Sequence, residues 1–349
     1  MGVTSKKAAV LGASGYTGAE LLRLIFGHPY LELAALTGHS RAGEPLSQIF
    51  PSLARLDAPD VVKIDAVDWS GIDVAFACLP HGASQESVAK IYDKVDTIID
   101  LSADFRLRDP ALYADTYERT HDFTDLLKHA VYGLTEFARD ALSEAKLVAC
   151  PGCYPTASLL CLLPAIEGGL ILPDPIIIDA KSGVSGAGRK TKTGLLFTEV
   201  SEGAHAYGVG NHRHAPEIDH ILERFGKVPT QVSFTPHLVP MNRGEITTCY
   251  VRLQNGVDIN GLRAAYEERY KNDPFVHIEP EGHVPHTRHV RGSNQARIGI
   301  FADRQEGRAI IIGVIDNLTK GSSGQAIQNY NLTQNWDETL GLHYAPLFP

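Results

Sequence analysis

Three glycines spaced three apart, Gly12, Gly15 and Gly18, separate a short apolar run (Lys7–Leu11, KAAVL) from a helix-patterned stretch in which Leu21, Leu22, Leu24 and Ile25 are apolar. No other feature narrows the fold as much. Glycines at the junction of a first strand and a first helix allow a tight turn, and they let backbone N–H groups approach a pyrophosphate at the helix N-terminus. The spacing is G-x-x-G-x-x-G rather than the commoner G-x-G-x-x-G, so the turn is weighed together with its surroundings. Those surroundings agree. LELAALT (Leu31–Thr37) reads as a second strand, and buried-strand runs recur at Asp73–Leu79, Thr97–Leu101 and Leu147–Cys150, alternating with helical stretches. This is the pattern of an α/β fold with a doubly wound parallel sheet, spanning residues 1–150. Gly12, Ser14, Gly15, Tyr16, Thr17 and Gly18 are the expected dinucleotide-binding residues.

The end of the second strand bears on which dinucleotide. An NAD site would place Asp or Glu there for the ribose 2′-hydroxyl. Here the chain reads Thr37-Gly38-His39-Ser40-Arg41, with no acid until Glu44. Ser40 and Arg41 can hold a 2′-phosphate, which favours NADP(H); the alternative is that Arg41 is a solvated loop charge.

After Cys150 the texture changes. IIIDAKS (Ile176–Ser182), QVSFTPHLV, EITTCYVRL, ARIGIF and AIIIGVI read as strands richer in Thr and in alternation, giving an α+β domain over 151–316. The polar, helix-compatible stretch Gly321–Leu342 is expected to return the segment 317–349 to the first domain. Two domains suit 349 residues. A net charge of -9 argues against a nucleic-acid binder, and no apolar run approaches the length of a membrane span. Met1–Lys7 runs directly into the first strand, leaving no room for a signal peptide, and Lys6 stands where myristoylation at Gly2 would want Ser or Thr. Five cysteines, an odd number, suit a reducing cytoplasm.

Cys150-Pro151-Gly152-Cys153-Tyr154-Pro155 follows a strand and precedes the apolar run SLLCLLPAI. Cys153 therefore stands at or just before a helix N-terminus, where unpaired N–H groups favour the thiolate that acyl transfer needs. Cys78, Cys161 and Cys249 read as inert buried residues. A Cys150/Cys153 redox pair is the competing reading, but it would lie mid-chain, after a complete nucleotide-binding pattern. Zinc is weaker still, because no second cysteine pair exists; no metal is expected. The acid/base candidates are His212 and His214, two apart and so on one face of an extended segment. Arginine is the bidentate choice for substrate phosphate and carboxylate. Arg106 and Arg243 come first, then Lys181 and Arg189; each could instead be a surface salt-bridge partner. Ser182, Gly183 and Gly186 belong to a glycine-rich loop, which could equally be a generic turn.

Taken together, LGASGYTG, LPHGAS (Leu79–Ser84), DLSADFRL (Asp100–Leu107), PGCYPTA, KSGVSGAGR (Lys181–Arg189), AYGVGNHRHAPEI, TPHLVPMNRG and DNLTKGSSGQAIQN resemble the N-acetyl-gamma-glutamyl-phosphate reductase family in its longer form, across essentially the whole chain. The resemblance implies a Rossmann domain plus a glyceraldehyde-3-phosphate-dehydrogenase-like α+β catalytic domain, and kinship with aspartate-semialdehyde dehydrogenase. It implies NADPH-dependent reduction of N-acetyl-glutamyl 5-phosphate to the semialdehyde with phosphate release, in arginine biosynthesis, by a cytoplasmic homo-oligomer, a tetramer by analogy. It favours His212 over His214 and places Asn317 at the nicotinamide, with Cys78 and Pro80 also along the cofactor. One departure is Cys150, where the family commonly has Asn; oxidation joining Cys150 to Cys153 could switch the enzyme off, or Cys150 could be a passive small substitute. The rivals are sister reductases acting on aspartyl or carrier-bound aminoadipyl phosphate, and a non-catalytic NADP-binding regulator. Retention of Cys153 and both histidines counts against the regulator.

Overall fold

A computed structural model describes residues 5–348; the readings that rest on Met1–Thr4, including Gly2, lie outside the described residues. The chain forms two compact units. One runs through Pro151 and takes in Ser322–His343; the other is Gly152–Gly321 with the residues from Tyr344 on. The C-terminal segment expected to return whole to the first domain is therefore divided between the two.

In the first unit the strands are buried on both faces, as continuous apolar runs require of a parallel sheet. Ala8–Leu11 and Val74–Ala77 are fully buried. The elements are β1 (Lys6–Leu11), helix α1 (Tyr16–Phe26), β2 (Leu31–Thr37), β3 (Val61–Val62), β4 (Val74–Ala77), α2 (Ser84–Ile91), β5 (Thr97–Asp100), β6 (Val131–Tyr132) and β7 (Leu147–Ala149). The seven strands lie in the order β3-β2-β1-β4-β5-β7-β6 and every pair is parallel. β3 and β6, two residues each, are too short to show a pattern in sequence. The helix Gly324–Thr333 packs on α1 and β5, and Ser323 Oγ donates to the Thr17 carbonyl at 2.9 Å. Within the helix-compatible stretch Gly321–Leu342 the α-helix is Gly324–Thr333, and a π turn, Thr319–Ser323, leads into it.

The second unit is a mixed sheet covered on one face by helices. Its elements are α3 (Cys153–Glu167), β8 (Ile176–Gly183), β9 (His205–Ala206), α4 (His214–Gly226), β10 (Val232–Val239), β11 (Glu245–Arg252), α5 (Ile259–Tyr270), β12 (Val276–Ile278), β13 (Ala296–Ala302) and β14 (Arg308–Ile315). The strand order is β12-β13-β14-β11-β8-β10-β9. Helix α3 is apolar all round and buried from Tyr154 to Ile166, packing on α4, α5, β11 and β14. Each fully buried Leu there contributes about 2 kcal/mol. Pro164 lies inside α3 and cannot donate to the Leu160 carbonyl four residues back. The Tyr270 hydroxyl on α5 donates to that oxygen instead, at 2.6 Å, so the helix runs through its proline without leaving a buried acceptor open.

Candidate active site

In the first unit the glycine turn has the shape a pyrophosphate needs. Gly12 has φ of +75°, and a Cβ there would fall 3.0 Å from the Cys78 carbonyl carbon and closer still to its oxygen. At Gly18 a Cβ would lie 2.6 Å from the Ala13 carbonyl oxygen, so α1 can approach the turn only without a side chain. At Gly15 a Cβ would meet only the Gly12 oxygen, 3.8 Å away, so the space over this glycine is open. Gly15 caps α1 without any side-chain hydrogen bond, leaving N–H groups of the first turn, which includes Tyr16, Thr17 and Gly18, to face an anion. These residues fit a dinucleotide. Ser40 and Arg41 are exposed after β2, and Arg41 pairs with Glu44 at 2.8 Å. That exposed bridge is weak.

Cys78, expected as a buried thiol, is only half-buried; its carbonyl backs Gly12, and its thiol pKa is pushed far above the usual range by desolvation. Pro80 is exposed in the following turn. The loop there is held by Asp104, whose carboxylate accepts from Gly82 N at 2.7 Å, Ser84 N at 3.0 Å and the Tyr113 hydroxyl at 2.8 Å. Arg106 departs from the expectation of a substrate cation. It is 7% exposed, with Nε on the Cys150 carbonyl at 2.8 Å and an Nη2 contact to the Leu101 carbonyl at 3.2 Å. It ties together the chain ends leaving β5 and β7. Cys150 is buried, its thiol pushed up to about 12 chiefly by desolvation, with Asn329 Nδ2 3.7 Å from its sulfur. Burial there disfavours the thiolate form.

In the second unit Cys153 is the first residue of α3, and Gly152, its N-cap, supplies no side chain. The Gly152 N–H donates to the buried Glu217 carboxylate at 3.0 Å, fixing the turn that presents the sulfur. A Cβ on Gly152 would lie 2.5 Å from His214 Nε2, so the His214 ring packs on the backbone just before the cysteine, and one on Gly321 would lie 2.8 Å from Cys153 Cβ, so the Gly321 backbone closes on the cysteine itself. His212 and His214 stack edge-on to each other, 4.8 Å between ring centroids, and both meet the Tyr154 ring. They therefore gather beside Cys153, with His214 the first residue of α4. His212 Nδ1 accepts from the His214 N–H at 3.1 Å, and burial holds its pKa down to about 4. It is then neutral, with its proton on Nε2.

Ser182, Gly183, Gly186 and Asn317 come together. Asn317 Oδ1 accepts from Gly244 N at 2.9 Å and its Nδ2 donates to Ser185 Oγ at 3.0 Å. Gly183 admits the Met241 carbonyl, 2.8 Å from where a Cβ would be, and Gly186 lies over Ser182 Oγ. Arg243 joins them, its Nε 3.1 Å from the buried Asp316 carboxylate and its Nη2 donating to Thr319 Oγ1 at 3.1 Å. Arg189 is exposed on the loop that follows. Lys181 goes elsewhere: strand alternation puts it on the face of β8 opposite buried Ala180 and Ser182, where it pairs with Asp179 at 2.9 Å. It is not brought to Cys153.

Sequence reading missed Glu245, the first residue of β11. It is fully buried, with no hydrogen-bond partner for either carboxyl oxygen; desolvation, with Asp316 adding, pushes its pKa up to about 8. The available signal was an acid at an inward position of an alternating strand.

Residues 7–145 match the semialdehyde dehydrogenase NAD binding domain, and residues 153–317 match the semialdehyde dehydrogenase dimerisation domain. Over 345 residues the chain is 54% identical to N-acetyl-gamma-glutamyl-phosphate reductase of Rhodospirillum rubrum, covering 98% of both chains. It is 49% identical over 343 residues to the probable chloroplastic N-acetyl-gamma-glutamyl-phosphate reductase of Oryza sativa, covering 98% of this chain and 82% of that one. The fold is that of aspartate semialdehyde dehydrogenase II from Vibrio cholerae, with TM-score 0.72, 17% identity, and 95% and 99% of the two chains covered. An NADP-containing aspartate semialdehyde dehydrogenase from Candida albicans shares it at TM-score 0.68, 16% identity and 95% and 99% coverage. No helix among the described residues is long and apolar enough to cross a membrane. The chain belongs to the N-acetyl-gamma-glutamyl-phosphate reductase family, within the semialdehyde dehydrogenases.

Proposed function

We propose that this protein reduces N-acetyl-glutamyl 5-phosphate to N-acetyl-glutamate 5-semialdehyde with release of phosphate, using NADPH and a thioester on Cys153, as a cytoplasmic homo-oligomeric enzyme of arginine biosynthesis, a tetramer by family analogy. The observation that carries the chemistry is Cys153 as the first residue of α3, beneath a glycine cap. Likeness to reductases of that name over 98% of the chain supports the substrate class.

NADPH, when bound, supplies the hydride. The Gly12–Gly18 turn, with Ser14, Tyr16 and Thr17, would hold its pyrophosphate, and Ser40 and Arg41 its 2′-phosphate. Cys78 and Pro80 would line it, and Ser182, Gly183, Gly186 and Asn317 would meet the nicotinamide. Cys153 attacks the acyl carbon as a thiolate, which the first N–H groups of α3 favour. As the C–S bond forms, the C–O bond breaks and its electron pair leaves with phosphate. His212, neutral and protonated on Nε2, donates to the substrate oxygen as it gains negative charge, and His214 supports it. Arg243 and Arg189 receive the substrate anions. Arg106 and Lys181 act structurally, through the contacts described above.

The test is phosphate-dependent reduction of NADP with N-acetyl-glutamate semialdehyde, on wild type and Cys153→Ser together. Activity that needs phosphate and vanishes in the variant is expected. Folded, nucleotide-binding wild type with no activity would redirect the reading to aspartyl or aminoadipyl substrates, then to a regulator; preference for NADH over NADPH would overturn the NADP assignment.

A further inference from the structure

His212 lies just ahead of α4, outside any helix or strand, yet its imidazole is walled on several sides. Between centroids, the Tyr207 ring just past β9 is 5.4 Å away, the Phe234 ring on β10 5.3 Å, and the Tyr154 ring on α3 5.9 Å. The His214 ring adds a fourth wall at 4.8 Å. Backbone completes the enclosure. A Cβ on Gly208 would fall 3.1 Å from His212 Cδ2, and φ there is +57°, so glycine lets the chain turn against the edge of the imidazole. The walls are themselves tied down. Tyr154 and Phe234 are buried, the Tyr207 hydroxyl donates to the Tyr154 hydroxyl at 3.2 Å, and the Tyr154 hydroxyl donates to the His237 carbonyl at 3.3 Å. The Tyr207 N–H donates to the Pro236 carbonyl at 3.0 Å. Three parts of the second unit, α3, β10 and the chain leaving β9, thus converge on one imidazole. Its Nδ1 is taken by the His214 N–H at 3.1 Å, and among the described residues no acceptor takes the proton on Nε2.

We propose that Tyr207, Phe234 and Tyr154 are positioning residues for the reaction: their rings hold the His212 imidazole so that its Nε2–H meets the substrate oxygen without a rotation of the side chain. This rests on the reading of His212 as the donor to that oxygen. An unrestrained histidine visits several χ1 wells, and its χ2 is broad. A donor stabilises developing charge at full strength only when it is aimed beforehand, and a misplacement of about 1 Å costs about 100-fold in rate. Edge-to-face packing suits the task, because the positive edge of one ring meets the negative face of another over a limited range of tilts. The Tyr207 and Tyr154 planes stand at 72° and 88° to the imidazole, and Phe234 at 60°. The three rings transfer no proton. They act through His212.

The experiment is a double-mutant cycle on the full-length protein, with Tyr207→Leu, His212→Asn and the pair. It reads kcat and KM in phosphate-dependent NADP reduction with N-acetyl-glutamate semialdehyde, beside NADPH affinity and circular dichroism. Tyr207 is half-buried, so Tyr207→Leu keeps the fold. It is expected to lower kcat at least about tenfold, with KM and NADPH affinity within about twofold of wild type. Tyr207→Phe, which keeps the ring, stays within about threefold. In the His212→Asn background Tyr207→Leu changes kcat by less than about twofold, since no imidazole is left to aim. Phe234→Leu repeats the cycle from β10, so one unfolded variant does not decide the outcome. Wild-type kcat in folded Tyr207→Leu overturns the proposal, and so does a loss that is equal with and without His212. Tyr207→Phe as impaired as Tyr207→Leu would place the effect in the hydroxyl and contradict the role of the ring. If His212→Asn alone keeps wild-type kcat, the donor reading fails, and the positioning role fails with it.

Discussion

Gly12 and Gly15 sit three residues apart in one turn, yet their replacement by alanine has opposite consequences. At Gly12 the left-handed φ alone costs an L-residue about 1–2 kcal/mol. The new Cβ would also press on the Cys78 carbonyl, which is backbone beyond β4 and cannot rotate away. Overpacking of that kind adds about 1–3 kcal/mol, so Gly12→Ala should lose roughly 2–5 kcal/mol. For a unit of this size that lowers Tm by about 4–20 °C. Gly15 has an extended backbone, φ −85°, and open space where its Cβ would go, so Gly15→Ala should cost no more than about 1 kcal/mol of stability. The same Cβ would stand over the N-terminus of α1 and keep the pyrophosphate from its N–H groups, weakening NADPH binding at least about tenfold, or about 1.4 kcal/mol. Thermal unfolding and NADPH fluorescence titration on both variants separate the two effects. Wild-type affinity in a folded Gly15→Ala protein would refute the pyrophosphate assignment, and wild-type Tm in Gly12→Ala would refute the steric argument.

Three further outcomes are expected. Burial lowers the folded pKa of His212 to about 4, below its unfolded value, so its contribution to stability is present above about pH 6.5 and lost as pH falls through 4. Urea unfolding across that window should show a slope of up to about 1.4 kcal/mol per pH unit that is reduced in His212→Asn, and an unchanged slope would contradict the burial. Arg243→Leu leaves Asp316 buried with only backbone donors and should cost about 3 kcal/mol by denaturant titration; Arg243→Lys should recover little, since one ammonium cannot reproduce the fork to Asp316 and Thr319. Gly152→Ala displaces the His214 ring and should lower kcat by about 100-fold with the fold intact by circular dichroism, which an unaltered kcat would refute.

How far the sequence could be read divides along physical lines. β1, the glycine turn and α1 were legible because glycine is demanded there by sterics, and sterics leave a mark on composition. Cys153 was legible for a similar reason: a strand, a Pro-Gly pair and an apolar run mark a helix start. Lys181 was not, since KSG reads the same whichever face of β8 it occupies, and only the register with β11 assigns the face. Arg106 looked like a substrate cation because its partners are backbone carbonyls of Leu101 and Cys150, which carry no sequence signature. Glu245 was silent for the same reason in reverse. It becomes notable only when its burial and its want of a hydrogen-bond partner are known together.

The central claim is an acyl-enzyme on Cys153, and mixing the protein with N-acetyl-glutamyl 5-phosphate in the absence of nucleotide tests it most directly. One equivalent of phosphate per chain should be released in a burst, with the acyl group recovered by mass spectrometry on the Cys153 peptide and absent from Cys153→Ser. A wild type that releases no phosphate until NADPH is added, or that carries the acyl group on any other residue, would contradict the account.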